Sequence, residues 1–347
     1  MDHLQVVSLV PLSDRARGRI EAIDASVEVR MAANWFDGEF RETWGNQVAD
    51  GYLPKGSVGT GTRAERDALL AGADVVLAGF PMLTDLRERA PKLRWVHQTP
   101  AGASNLLRCD VWGSDILFTT SRGLGNTLAI AEYVVAMFAM FARDLHRPAT
   151  EKAEGRFDRS PYRPTQLAGK TVCVVGAGGI GADVGRLCAA LGMRVVGTRR
   201  TPGVPIAGFD LVAGPDQLHD ILTESQFVAV CCQLTPETKG LIGEEALAAI
   251  PDGAVLVNVA RGEVVDEAAL STHLDRFRGI GLDVFIGEFD GPPRSDLWDH
   301  PNVVVTPHVS AGSDQRSVRP LALFERNLAA LIAGDPLDNL VDWERGY

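Results

Sequence analysis

Residues 170–181 read Lys-Thr-Val-Cys-Val-Val-Gly-Ala-Gly-Gly-Ile-Gly. Val172, Val174 and Val175 predict a buried strand, and Gly176, Gly178 and Gly181 follow it at the G-x-G-x-x-G spacing, with Gly179 and Ile180 filling the last gap. Val184, Leu187, Cys188 and Leu191 then recur at helical intervals. Strand, glycine turn and helix in this order suit a dinucleotide pyrophosphate. The first glycine permits a tight turn, the second lets backbone approach the phosphates, and the third lets the helix pack on the strand. The helix N-terminus then faces the phosphates with free N–H groups. A glycine triplet alone also occurs in ordinary loops; the two flanking elements are what make this one informative.

Downstream, apolar runs at Met193–Gly197, Phe209–Val212, Phe227–Cys231, Val255–Val259, Gly279–Val284 and Val303–Thr306 predict further strands of the same sheet. Upstream, strands are predicted at Gln5–Val10, Ser26–Arg30, Val75–Phe80, Leu93–Gln98 and Ile116–Thr120. Helical patterns at Ser13–Ile23, Arg63–Ala71 and Leu83–Ala90 alternate with them, and Ser13 is a candidate N-cap. Alternating β and α elements imply α/β architecture with two doubly wound parallel-sheet domains. Thr127–Arg143 reads as a buried linking helix, Glu151–Pro164 as a polar surface segment, and Leu321–Ala333 as a closing helix ended by Gly334 and Pro336. Between Met31 and Thr62 the periodicity fades, which predicts a long loop insertion whose aromatics Trp35 and Phe36 pack on the domain or cap a substrate.

The 347 residues suffice for two domains, and the net charge of −11 argues against nucleic acid or an acidic membrane surface as the main partner. The odd set Cys109, Cys173, Cys188, Cys231 and Cys232 points to reduced core thiols rather than disulfides or a zinc site. No basic n-region leading into an apolar stretch follows Met1, and no apolar run approaches membrane-spanning length, so the expectation is a cytoplasmic protein.

An acidic residue about 20 positions after the glycines would favour NAD(H) by bonding the ribose 2′-hydroxyl. Here the second strand ends in Thr198-Arg199-Arg200-Thr201. An arginine pair grips a 2′-phosphate that a carboxylate would repel, so NADP(H) is preferred, with NAD(H) and a plain basic turn as the alternatives. Three later strands end in groups able to do chemistry: Arg261 after Asn258-Val259-Ala260, Asp283 with Glu288 beyond it, and His308 after Thr306-Pro307. Singly, each has a bland reading as a surface charge or turn residue. Together they suit the carboxyl ends of strands, where such sheets bind ligands.

With these motifs in place the chain resembles the D-isomer-specific 2-hydroxyacid dehydrogenases, the family of glyoxylate/hydroxypyruvate reductases and of D-lactate and D-3-phosphoglycerate dehydrogenases. The match runs through Leu167-Ala168-Gly169-Lys170, Leu234-Thr235-Pro236-Glu237-Thr238-Lys239-Gly240, residues 258–266, Leu297-Trp298, Thr306-Pro307-His308 and Gly334-Asp335-Pro336. The resemblance implies a flavodoxin-like substrate domain (1–122 and 314–347) interleaved with a Rossmann NAD(P)-binding domain (123–313). It implies His308 as acid/base with Glu288 as its partner, and Arg261 as the grip on a substrate carboxylate. Ala101, Gly102 and Ala103 would offer backbone N–H groups to that carboxylate. The cofactor site it implies comprises Gly176, Gly178, Gly179, Ile180, Gly181, Thr198, Arg199, Arg200, Leu234, Thr235, Val259, Ala260 and Asp283, the last at the nicotinamide carboxamide. It further implies a small 2-oxo or 2-hydroxy acid substrate and a homodimer through the nucleotide domain, to which Thr127–Arg143 contributes. His97, beside the substrate loop, reads as a core or rim histidine. Gly179 stands where many members carry Arg, Gln233 replaces a usual Pro, and Ile286-Gly287 departs from the pattern after Asp-Val-Phe. Two alternatives stay open: a relative oxidising another small anion, against whose formate branch the Glu–His pair weighs, and a nucleotide-sensing corepressor-like binding protein.

Overall fold

The computed structural model describes residues 3–123, 125–314 and 318–344. Its chain divides into two compact units, Met1–Gly125 with Gln315–Tyr347, and Asn126–Asp314.

The first unit is built in chain order from β1 (Leu4–Ser8), α1 (Asp14–Glu21), β2 (Val27–Met31), α2 (Asp37–Tyr52), α3 (Arg63–Ala71), β3 (Val75–Ala78), α4 (Leu86–Arg89), β4 (Trp95–Gln98) and β5 (Leu117–Thr120). All pairings are parallel and the order is β2-β1-β3-β4-β5, the flavodoxin-like arrangement. Strand residues alternate between two cores. Val7, Val76 and Val96 pack with Phe40 of α2, Leu70 of α3 and Leu86 of α4. Val6, Val29, Val75, Leu77 and Trp95 face Ile20 of α1 and, from the far end of the chain, Leu321, Phe324 and Leu328. Ser13 caps α1, its hydroxyl accepting from the Ala16 N–H at 3.2 Å.

The second unit contains α5 (Thr127–Ala142), α6 (Pro148–Ala153), β6 (Thr171–Val175), α7 (Gly179–Ala190), β7 (Arg194–Thr198), β8 (Leu211–Ala213), α8 (Leu218–Thr223), β9 (Phe227–Val230), α9 (Glu244–Ala249), β10 (Val255–Asn258), α10 (Glu267–His273), β11 (Gly279–Leu282), α11 (Ser295–Trp298) and β12 (Val303–Val305). The chain then closes with α12 (Val318–Ala333), which belongs to the first unit. The seven-stranded sheet runs β12-β11-β10-β9-β6-β7-β8, and it too is parallel throughout. Val172, Val174, Phe227, Ala229, Val255 and Val257 pack under α5 and α7, while Cys173, Val175, Val228, Val230 and Leu256 pack under α8, α9 and α10. After β8 the chain crosses to the other side of β6, so β6 and β9 flank the topological switch point where such sheets bind ligands.

Four expectations need correction. Residues 31–62 are no structureless loop, because α2 occupies 37–52. Gly38, Gly45 and Gly51 dilute its helical pattern, and at Gly45 (φ 79°) the helix is kinked. Tertiary anchors override that weakness. Phe36 and Phe40 are buried, Trp44 donates its indole N–H to the Met82 carbonyl at 2.7 Å, and Glu39 takes ion pairs from Arg66 and Arg89, each at 2.5 Å. Leu83–Ala90 yields only the single turn α4. The strand expected over 209–212 starts later, because the Phe209 ring leaves it to fill the space left by Gly185 and Gly197, whose Cβ atoms would lie 2.1 and 2.7 Å from that ring. Finally, 151–164 is not wholly surface: Glu151 is buried, and its carboxylate accepts from the Tyr162 hydroxyl at 2.8 Å.

Candidate active site

The turn after β6 meets the steric demands of its motif. Gly176 has φ +95°, and a Cβ there would lie 2.6 Å from the Cys232 backbone. At Gly181 a Cβ would stand 2.2 Å from the Gly176 carbonyl oxygen, so only glycine lets α7 sit this close to the strand. Gly178, in contrast, looks onto open space: nothing lies within 4 Å of its Cβ position. It is also the N-cap of α7 and supplies no side-chain acceptor, which leaves the first helical N–H groups to face whatever binds there. Gly179 and Ile180 form the first turn of that helix. The Gly176 and Ala177 N–H groups donate to the Thr198 carbonyl at 3.0 and 2.7 Å, tying the turn to the end of β7. These features fit a pyrophosphate.

Beyond buried Thr198, Arg199 is half-buried and Arg200 exposed. Among the described residues Arg199 makes no ion pair. The Glu237 carboxyl is held below its ordinary range, first by a hydrogen bond from the Thr235 side chain and then by its own backbone N–H. It also feels the Arg200 charge, which puts Arg200 near the 233–238 turn. In that turn the Thr238 hydroxyl accepts from the Thr235 N–H at 2.7 Å and donates to the Gln233 carbonyl at 2.6 Å. Leu234 is half-buried, and Val259 and Ala260 are buried at the end of β10.

The second cluster sits at the ends of β10, β11 and β12. Asn258, Leu282 and Val305 are level in the register, so Arg261, Asp283 and His308 all emerge just past the same line of the sheet. With strands about 4.8 Å apart, the outer two ends stand roughly 10 Å from each other. His308 occupies the left-handed region (φ 52°), uncommon for a residue with a side chain. Asp283 holds it there. The His308 N–H donates to the Asp283 carbonyl at 3.0 Å, and the fully buried Asp283 carboxylate accepts from the Thr306 hydroxyl (2.6 Å), the Val309 N–H (2.8 Å) and the Ser310 N–H (2.9 Å). Thr306 is braced in turn by the Tyr133 hydroxyl of α5 at 2.7 Å. Burial is the main cause that pushes that phenol up to about 12, so it stays neutral.

The imidazole itself is pinned by Glu288, whose Oε1 lies 2.9 Å from His308 Nδ1. Glu288 is 10% exposed and His308 26%. A carboxylate accepting from Nδ1–H fixes the ring orientation and leaves Nε2 as the ring's other polar atom. The Glu288 loop is itself supported, since the Ile286 N–H donates to Glu267 Oε1 at 2.6 Å. Arg261 is half-buried and makes no ion pair among the described residues; its Nη1 donates to the Ala260 carbonyl at 2.7 Å. Asn258 shapes that turn, its amide bonding the Arg261 carbonyl and the Ala260 N–H, each at 3.0 Å. Gly262 lets it press on Phe285, 2.2 Å from where a Cβ would be. The guanidinium therefore keeps most of its donors for an anion.

In the first unit, Ala101 and Gly102 are half-buried and Ala103 buried after the end of β4, and among the described residues their N–H groups find no backbone acceptor. His97 is completely buried, its ring between the hydroxyls of Thr119 (2.8 Å) and Ser121 (3.3 Å). Burial lowers it to about 3, so it is a neutral core group.

The sequence reading did not single out Tyr133, Asn258, Glu267, Phe289, Thr306 or Ser310 as supports of this corner. Thr306 was within reach, being two residues from His308 on the same strand end. Ser310, Asn258 and Phe289 likewise lie close in sequence to His308, Arg261 and Glu288, whereas Tyr133 and Glu267 act across the fold.

A family model described as D-isomer specific 2-hydroxyacid dehydrogenase, NAD binding domain, matches residues 135–310. A glyoxylate reductase of Korarchaeum cryptofilum is 33% identical over 280 residues, covering 78% of this chain and 82% of the relative. A D-3-phosphoglycerate dehydrogenase of Mycobacterium bovis is 33% identical over 299 residues, 80% of this chain and 53% of the relative. The chain thus spans about half the length of such longer relatives. Among solved structures, a D-isomer specific 2-hydroxyacid dehydrogenase from Xanthobacter autotrophicus Py2, in complex with NADPH and MES, is 29% identical, with a TM-score of 0.76 and coverage of 100% of both chains. Matched in this way by sequence and by fold, the chain belongs to the D-isomer-specific 2-hydroxyacid dehydrogenase family.

Proposed function

We propose that the protein is an NADPH-preferring reductase that converts a 2-oxo acid to a D-2-hydroxy acid. The observation that carries this reading is the His308–Glu288 pair, with a 2.9 Å Nδ1···Oε1 contact, at the same level of the sheet as Arg261. A nicotinamide cofactor supplies the hydride when bound. Arg261 receives the substrate carboxylate in its guanidinium fork, and its charge polarises the adjacent carbonyl. His308 Nε2–H donates the proton that the carbonyl oxygen takes up on reduction, and Glu288 compensates the charge of the ring beforehand. In the oxidative direction the neutral Nε2 accepts the same proton.

Arg199 and Arg200, where an acidic residue would select NAD(H), support NADP(H), as does the NADPH in the Xanthobacter relative. The resemblance assigns Asp283 to the nicotinamide carboxamide, although its carboxylate is fully buried and accepts three hydrogen bonds from Thr306, Val309 and Ser310, and the N–H groups of Ala101, Gly102 and Ala103 suit a carboxylate. A homodimer through the 126–314 unit completes the reading, and light scattering of the purified protein tests it.

The test of function is the initial rate of NADPH and of NADH oxidation against glyoxylate, hydroxypyruvate and larger 2-oxo acids. Turnover at least several-fold faster with NADPH is expected. Faster turnover with NADH would remove the arginine argument. Nucleotide binding without turnover of any 2-oxo acid would remove the reductase itself.

A further inference from the structure

The turn that carries Glu288 also carries a second group against the acid/base histidine. Gly287 takes φ +79°, the Asp290 N–H closes on the Gly287 carbonyl at 2.8 Å, and the Glu288 N–H points to the Phe285 carbonyl at 3.3 Å. With Ile286 tied to Glu267, the turn is built on both sides and its side-chain directions are set. Consecutive residues then address different parts of one ring. Glu288 bonds the imidazole edge at Nδ1, while the half-buried Phe289 ring stands beside the imidazole, centroids 6.3 Å apart and planes inclined by 28°.

We propose that Phe289 is a specificity-determining residue, an apolar wall that selects 2-oxo acids bearing an apolar side chain. The proposal rests on the reductase reading above. A carbonyl oxygen accepting from Nε2 stands about 2.8 Å from that atom, so a side chain of several carbons on the 2-oxo carbon is long enough to reach the phenyl beside the imidazole. Glyoxylate has no such side chain and gains nothing from the wall. A phosphorylated substituent would be desolvated against the ring and repelled, because the charged residues of the turn are the acidic Glu288 and Asp290, and exposed Ile286 adds apolar surface.

The test compares kcat and KM for glyoxylate, 4-methyl-2-oxopentanoate and 3-phosphohydroxypyruvate in the wild type, Phe289→Ala and Phe289→Leu. The wild type should favour the branched acid over the phosphorylated one. In Phe289→Ala the ratio of kcat/KM for the branched acid over glyoxylate should fall about tenfold, mainly through KM, the order that a few methylenes of apolar contact supply. Phe289→Leu should recover most of that ratio. An unchanged ratio in Phe289→Ala, including one produced by equal losses on both acids, would overturn the proposal. So would a wild type that works best on the phosphorylated acid. If the wild type reduces no 2-oxo acid at all, the reductase reading fails first and the proposal with it, a result distinguishable from an active enzyme whose ratio does not move.

Discussion

The glycine turn after β6 and the corner around His308 both lie at strand ends of one sheet, yet they are made in opposite ways. The glycine turn is local. Within six residues, Gly176 reverses the chain, Gly178 leaves an open approach, and Gly181 admits the helix, each for a steric reason visible at its own position. The His308 corner is assembled from Tyr133, Glu267, Asp283, Glu288 and Thr306–Ser310, so its parts are separated by up to 177 residues between Tyr133 and Ser310. A local device should fail abruptly when one atom is added. An assembled one should lose function in proportion to the support removed.

The largest effect is expected at the local device. Gly176→Ala adds a Cβ 2.6 Å from the Cys232 backbone at φ +95°, and should destabilise the unit by more than about 4 kcal/mol in denaturant melts. Gly178→Ala should cost less than about 1 kcal/mol in the same melts while nucleotide affinity falls at least tenfold. If both variants fold equally well, the steric account of the turn is wrong. Next comes the assembled corner: Asp283→Asn should lower kcat/KM about a hundredfold, the scale of a small misplacement of the acid/base group, with the protein still folded. Unchanged kinetics would show that Thr306, Val309 and Ser310 hold His308 without that carboxylate.

The difference between the two regions also explains what was legible in the sequence. The glycine turn, the strand that feeds it and the helix that follows are written in consecutive residues, and so is the β/α alternation that gives both sheets. His308, Arg261 and Glu288 were legible as strand-end residues in family order. The supports that come from distant elements were not, because a tyrosine inside an apolar helix carries no local mark of the threonine hydroxyl it will meet, nor that threonine of the Asp283 carboxylate it will bond. Helix α2 was hidden for a related reason: three glycines blur its period, and the ion pairs of Glu39 with Arg66 and Arg89 that hold it come from α3 and α4. Phe209 misled in the other direction, an apolar residue beside a strand that serves two glycines elsewhere.

Two smaller effects sharpen the comparison. His97 is another assembled group, held near 3 in the folded chain against an ordinary 6.5 by burial. Between those values the unfolded chain binds one more proton than the folded one. The stability from this site is complete above about pH 6.5 and is lost as pH falls toward 3, at about 1.4 kcal/mol per pH unit. At pH 5 the loss should reach about 2 kcal/mol in urea melts, and His97→Gln should flatten that slope by one proton. An identical slope in the variant would show that His97 is not the group responsible. The smallest effect concerns the basic pair: Arg199→Ala with Arg200→Ala should reduce the preference for NADPH over NADH about tenfold, leaving kcat with saturating nucleotide nearly unchanged. A preference that stays put would move 2′-phosphate recognition elsewhere.

The most direct test of the central claim pairs two measurements on His308→Asn: NADPH affinity by fluorescence titration, and single-turnover reduction of the best 2-oxo acid. The account predicts a dissociation constant within about twofold of the wild type and a chemical step slowed at least a hundredfold, because His308 supplies the proton and makes no part of the nucleotide turn. Turnover at close to the wild-type rate would contradict it.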